Sequence, residues 1–144
     1  MRRLSRQSAE GKQHLTVPAA VSDELRSLRA RVPHLTGALV ASVDGFVLAR
    51  DAATSEAEGI AALTAVALGV GIRLAEVTGQ GGFRELLVRG EQGYVATYAA
   101  GASAVVTVLA QASVNVGRLH LEARRSTVRV AELVDAALAQ SDKP

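Results

Sequence analysis

Between Ala57 and Val77 the sequence AEGIAALTAVALGVGIRLAEV reads as a helix that is apolar almost all the way round. From Gly59 to Ile72 it carries no charge, and a helix without a solvent face must bury itself on more than one side. At about 100° per residue, Ile60, Leu63, Val66, Val70, Leu74 and Val77 form one broad stripe, which predicts packing on a sheet. Ala61, Ala65, Leu68, Gly69 and Ile72 form a second strip of mostly small side chains, whose spacing lets another helix approach closely. A chain this short has little left to cover that strip, so it is expected to be a seam for another subunit. Two other readings compete. A membrane span needs about 20 apolar residues, and Arg73 and Glu76 follow directly on a shorter run. A terminal helix of the same chain is the other possible cover.

At 144 residues the chain suits one domain with a real core. Its 49% hydrophobic content is ordinary for a globular protein and excludes a disordered or largely membrane-embedded class. No cysteine is present, so disulfides, thiolate nucleophiles and cysteine-ligated metals are ruled out. Met1–Gln13 is polar and basic and lacks the apolar core of a signal peptide, which places the chain in the cytoplasm as an expectation.

Residues 1–20 hold Arg2, Arg3, Arg6 and Lys12 against Glu10 alone and show no apolar period, so they read as a flexible basic tail. Without aromatic or apolar anchors this tail is expected to aid solubility rather than to bind nucleic acid or insert stably in a membrane. Residues 21–140 form the folded domain in this reading, and 141–144 a flexible C-terminus.

Ser22-Asp23-Glu24 opens a short helix with Ser22 as its cap; Leu25, Leu28 and Val32 supply its apolar stripe and Pro33 stops it. Thr36–Val43 is a strand apolar on both faces and therefore central in a sheet. Asp44-Gly45 suits a tight type I′ turn, and Phe46–Ala49 returns as the partner strand of a hairpin. Gly79-Gln-Gly-Gly82 breaks the chain after the long helix. Phe83–Arg89 carries Arg84, Glu85 and Arg89, charges that suit an edge strand. Tyr94–Ala99 and Ala104–Ala110 complete a meander, and a last helix runs from about Asn115 to Ala139. Its core stripe is Val116, Leu119, Ala123, Val130, Val134 and Ala137, with Arg118, Glu122, Arg125 and Arg129 opposite. The expected fold class is α+β, an αββαβββα sandwich. Its five-stranded antiparallel sheet carries the long second helix on one face and both terminal helices on the other. That arrangement removes the terminal helices as cover for the second strip.

Residues able to carry chemistry do not converge. His14, His34 and His120 are scattered without acidic partners at ligand spacing, and the turn explains Asp44. The glycine run at 79–82 follows a helix, the reverse of the polarity that aims amides at phosphate. The Arg118, Arg125 and Arg129 stripe could meet an acidic partner, although Glu122 interrupts it and a solvated face explains it as well. No catalytic, cofactor-binding or metal-binding residue is assigned, and no enzyme activity is expected.

The phrase ALVASVDGFVLA from Ala38 to Ala49, the Ala-rich second helix and the Asn115-Val-Gly-Arg-Leu119 opening of the last helix carry a resemblance. Together with the element order, they make the chain resemble the Roadblock (dynein-light-chain) family, whose bacterial branch includes MglB-like proteins, over roughly residues 22–138. The most specific part is S-x-D-G-x-x-x-A, matched by Ser42, Asp44, Gly45 and Ala49. The resemblance implies a Roadblock/profilin-like fold and a homodimer, or a heterodimer with a paralogue. It implies that second helices pack antiparallel and that the strands Phe83, Arg84, Glu85, Leu86, Leu87, Val88 and Arg89 pair at the sheet edge. It further implies a helix platform that binds a small Ras-like GTPase, in bacterial signalling or polarity, with Arg73 and Glu76 facing it. A small-molecule-sensing module of the same sandwich shape is the alternative.

Overall fold

The computed structural model describes residues 16–51 and 56–142. Its elements run α1 (Ala19–Arg31), β1 (Leu35–Ser42), β2 (Val47–Asp51), α2 (Ala57–Val77), β3 (Glu85–Arg89), β4 (Gly93–Ala100), β5 (Ala104–Gln111) and α3 (Val116–Ser141). The strands form one antiparallel sheet in the order β2-β1-β5-β4-β3.

Alternation along the strands builds two cores. Ala38 and Val40 of β1 join Val106 and Val108 of β5 beneath α1 and α3, where Leu25, Leu28, Leu119 and Val130 are buried. Leu39 and Ala41 point the other way, with Val105, to meet Ala57, Ala61 and Leu68 of α2. The strand read as doubly apolar is thus covered on both faces, with α2 across the sheet from the terminal helices.

Several local expectations shift. The first helix begins at Ala19 with Pro18 at its N-cap and no side-chain cap, so Ser22 lies inside the helix rather than at its start. Proline can precede a helix because the first amides need no intrahelical acceptor. The helix therefore starts inside the stretch read as tail, and Val17 already packs on the core; residues 1–15 and 143–144 lie outside the described residues. The hairpin turn is not type I′. The Gly45 amide donates to the Ser42 carbonyl at 2.9 Å, and Gly45 alone in the turn has a positive φ, at 95°. A β-turn followed by a left-handed glycine results, with a register shift at Val40/Ala41.

The helices are tied down by ion pairs. Arg31 of α1 reaches Glu122 of α3 at 2.8 Å and donates to Ser126 Oγ at 2.9 Å, while Arg29 meets Asp51 of β2 at 3.0 Å. Glu122 is consequently half-buried against α1 and does not belong to the solvent stripe of α3.

Candidate interaction site on the second helix

α2 meets the sheet through its smaller residues. Ala57, Ala61, Thr64, Leu68 and Gly71 are its buried positions. Their spacing of four, three, four and three residues is that of one helix face. The sheet beneath offers little room. A β-carbon on Gly71 would stand 2.4 Å from Phe83 Cε2, and one on Gly45 would stand 3.4 Å from Ala62 Cα and from Ala65 Cβ. Thr107 at the sheet centre donates to Thr64 Oγ1 at 3.2 Å and shares a 3.3 Å contact with Thr97, so three buried hydroxyls satisfy one another under the helix.

The two strips of α2 are therefore exchanged relative to the sequence reading. Ala61 and Leu68, assigned to the subunit seam, lie in the core against the sheet. Ala65 is half-buried beside the hairpin turn, and only Gly69 and Ile72 of that strip are exposed. Apart from Ile60, the stripe assigned to the sheet faces outward: Leu63 is 73% exposed and Val70 55%, and Val66, Leu74 and Val77 fall between. Ile60 remains half-buried at the rim. The small residues do permit close approach, but what approaches is the sheet. A helix this apolar is also long enough to cross a membrane. Its small face is instead occupied by the strands, with Thr64 hydrogen-bonded to them.

The exposed stripe borders β3, an edge strand paired with β4 only. Phe83 and Arg84 precede the strand proper. The Phe83 ring turns under α2 at Gly71, and the Arg84 carbonyl still accepts from the Ala99 amide at 3.0 Å. The charges of β3 find partners within the fold: Glu85 pairs with Arg124 of α3, and the Arg89 guanidinium lies 5.9 Å from the Tyr94 ring centroid. Leu87 packs into the core beneath the terminal helices, and Val88 is exposed. Leu86 and Val88 line a groove of about 210 Å³ with Ile60, Leu63, Ala67 and Thr97. Apolar surface is thus continuous from the outer side of α2 to the open sheet edge. Contiguous exposed apolar surface of this kind makes this the candidate interaction site.

At the end of the stripe Arg73 and Glu76 are both exposed and 3.7 Å apart. α2 ends in a Schellman motif: the Gln80 amide donates to the Ala75 carbonyl at 2.8 Å and Gly79 has a φ of 73°. The glycine run is thus a helix stop.

Behind the edge strand lies a cluster the sequence did not reveal. The Tyr98 hydroxyl and His120 Nδ1 are 2.7 Å apart, and Tyr98 is cross-strand partner to Glu85. The Arg124 hydrogen bond holds the Glu85 carboxyl below its usual range against the opposing effect of burial. Burial, reinforced by Glu85, pushes the Tyr98 hydroxyl well above the ordinary tyrosine range. Such a network locks α3 to β3 and β4. Among the described residues no three His, Asp or Glu side chains come together as a metal site.

The Roadblock/LC7 domain profile matches residues 21–110, the stretch from α1 through β5. The chain belongs to the Roadblock/LC7 family. Solved structures of Roadblock proteins share its fold. An MglB in a tetrameric arrangement superposes with a TM-score of 0.76 at 22% identity, over 83% of this chain and 90% of that one. The gliding protein MglB from Thermus thermophilus gives 0.75 at 21% identity, over 85% and 97%. A Roadblock/LC7 domain from Streptomyces avermitilis gives 0.67 at 24%, over 85% and 98%. At these identities the likeness establishes the fold. Comparison with curated proteins gives no match.

Proposed function

We propose that this Roadblock chain is a non-catalytic dimeric regulator or scaffold, working in the cytoplasm of a bacterium, whose paired α2 helices form a platform for a small Ras-like GTPase. The observation that carries the reading is the row of exposed large apolar side chains on α2, continuous with Val88 of the open edge strand. Burying such a row against its own copy removes apolar surface from water at roughly 25 cal/mol per Å². In this reading the seam runs along Leu63, Val66, Val70, Leu74 and Val77, with Gly69 and Ile72 beside it, and β3 strands pair edge to edge. Arg73 and Glu76, the charged pair next to the seam, face the GTPase. Regulation then consists of holding one conformation of the GTPase, since ionisable groups do not converge on the platform.

The test is capture of a small GTPase from the source cell on the immobilised chain, in GDP- and GTP-loaded lysates, followed by a hydrolysis assay on the captured protein. Retention in one nucleotide state, lost with Arg73→Glu, supports the platform. Retention in neither state overturns the GTPase partner. The groove of about 210 Å³ between α2 and β3 favours one other reading, an apolar small-molecule sensor. That reading requires a monomer whose melting temperature rises with an apolar ligand.

A further inference from the structure

α3 has an exposed face that the α2 platform does not use. Its buried positions, Leu119, Ala123, Ser126, Thr127, Val130 and Val134, leave one long face with no task inside the chain. Along that face Arg118, Leu121, Arg125, Val128, Glu132 and Asp135 follow one another at steps of three, four, three, four and three residues, the spacing of one helix face. All six are exposed, with Leu121 at 54% and Val128 at 62%. These two apolar side chains stand about 10.5 Å apart along the axis at 1.5 Å per residue.

Charge is segregated along this face. Of its charged members, Arg118 and Arg125 occupy the N-terminal half, and Glu132 and Asp135 the C-terminal half. Arg118 stands in the first turn of α3, which holds no acid, and there it opposes the helix dipole. The intrachain pairs Arg125–Glu122 at 3.8 Å and Arg129–Glu132 at 3.7 Å are long, the first reaching a half-buried Glu122 and the second exposed, and do little to explain the segregation. An antiparallel copy of the same helix does explain it, because the basic half of each then lies over the acidic half of the other and the two dipoles oppose.

We propose that the outer face of α3 binds the same face of a second copy of this chain, antiparallel about a two-fold axis near Arg125 and Val128. In that register Arg118 of each copy faces Asp135 of the other, and the stems of Glu132 and Arg125 cover Leu121 and Val128. A two-fold contact repeats each pair, so one substitution acts twice. With only two large apolar side chains per copy the contact is dominated by charge and therefore sensitive to salt. Combined with a dimer through α2 it produces a closed tetramer, but it stands independently of that dimer.

Sedimentation velocity on the full chain over a concentration series tests it. At about 0.01 M salt, where the Debye length is roughly 30 Å, Arg118→Glu and Asp135→Arg each halve the limiting mass, and the double variant restores it. At about 1 M salt, where that length is roughly 3 Å, the wild-type mass halves as well. Unchanged mass in both single variants, or failure of the double variant to restore it, overturns the α3 contact. Val70→Glu reports on the α2 stripe alone: a halving of mass that is insensitive to Arg118→Glu belongs to that stripe, so the two contacts fail separately.

Discussion

The Phe83 ring occupies the space that a side chain at Gly71 would need, 2.4 Å from where a β-carbon would stand. The neighbour is a ring edge held between α2 and β3, not the free end of a flexible side chain. Gly71→Ala therefore gains about 1 kcal/mol of helix propensity and loses about 1–3 kcal/mol to overpacking. Net destabilisation is the expected result in urea unfolding. Gly69→Ala supplies the contrast: its β-carbon meets nothing within 4 Å, and protomer stability should rise by about 0.5–1 kcal/mol.

The reversed faces of α2 predict opposite costs for chemically similar truncations. Leu68→Ala removes a side chain from the core beside Leu39 and Val105 and should cost about 2–5 kcal/mol. Val66→Ala, on the exposed stripe, should change protomer stability by no more than about 0.5 kcal/mol. Chemical denaturation at concentrations low enough to keep the chain monomeric measures both, and equal costs would restore the original face assignment.

Thr107 lies between Thr64 and Thr97 with its hydroxyl bonded to both. Thr107→Val strands the Thr97 hydroxyl in the core, at a cost of about 1–3 kcal/mol. Changing all three threonines to valine removes the unpaired groups together, so the triple variant should be more stable than the single one. Thermal melts of the two variants decide the point, and additive losses would count against a shared network.

Glu85 links stability to pH. Its folded-state pKa is depressed, chiefly by the Arg124 hydrogen bond. The unfolded chain thus binds the proton more readily, and the stabilisation is complete above the ordinary glutamate pKa of about 4.3. It disappears as pH falls through the lower folded value. The stability gap between wild type and Glu85→Gln should accordingly shrink steadily below about pH 4.3 in acid unfolding series. Tyr98 acts at the other end: its raised folded-state pKa makes stability fall as pH climbs above about 10.

Much of the architecture was legible because hydrophobic period and chain punctuation are local. The two-sided apolarity of β1, the charges of β3, the Gly79 stop and the stripe of α3 each marked an element and its place. What was not legible depends on shape across elements. The Tyr98–His120 contact joins a strand to a helix 22 residues away, and neither residue stands in a motif. The partial burial of Glu122 required knowing that Arg31 of α1 would reach it. At the hairpin, Asp-Gly announced a turn, but the bulge at Val40/Ala41 decided which kind.

The α2 helix divides the two sources most clearly. The sequence by itself determined that Ala57–Val77 is a helix apolar almost all the way round, with two strips that could each meet a neighbour. Only the tertiary structure decided which side meets the sheet. Hydrophobicity cannot distinguish one apolar face from another, whereas the available volume can. The strands and Phe83 leave room for Ala61, Thr64 and Gly71 but not for a row of leucines and valines. The larger side chains are thereby turned outward and form the exposed apolar surface of the helix.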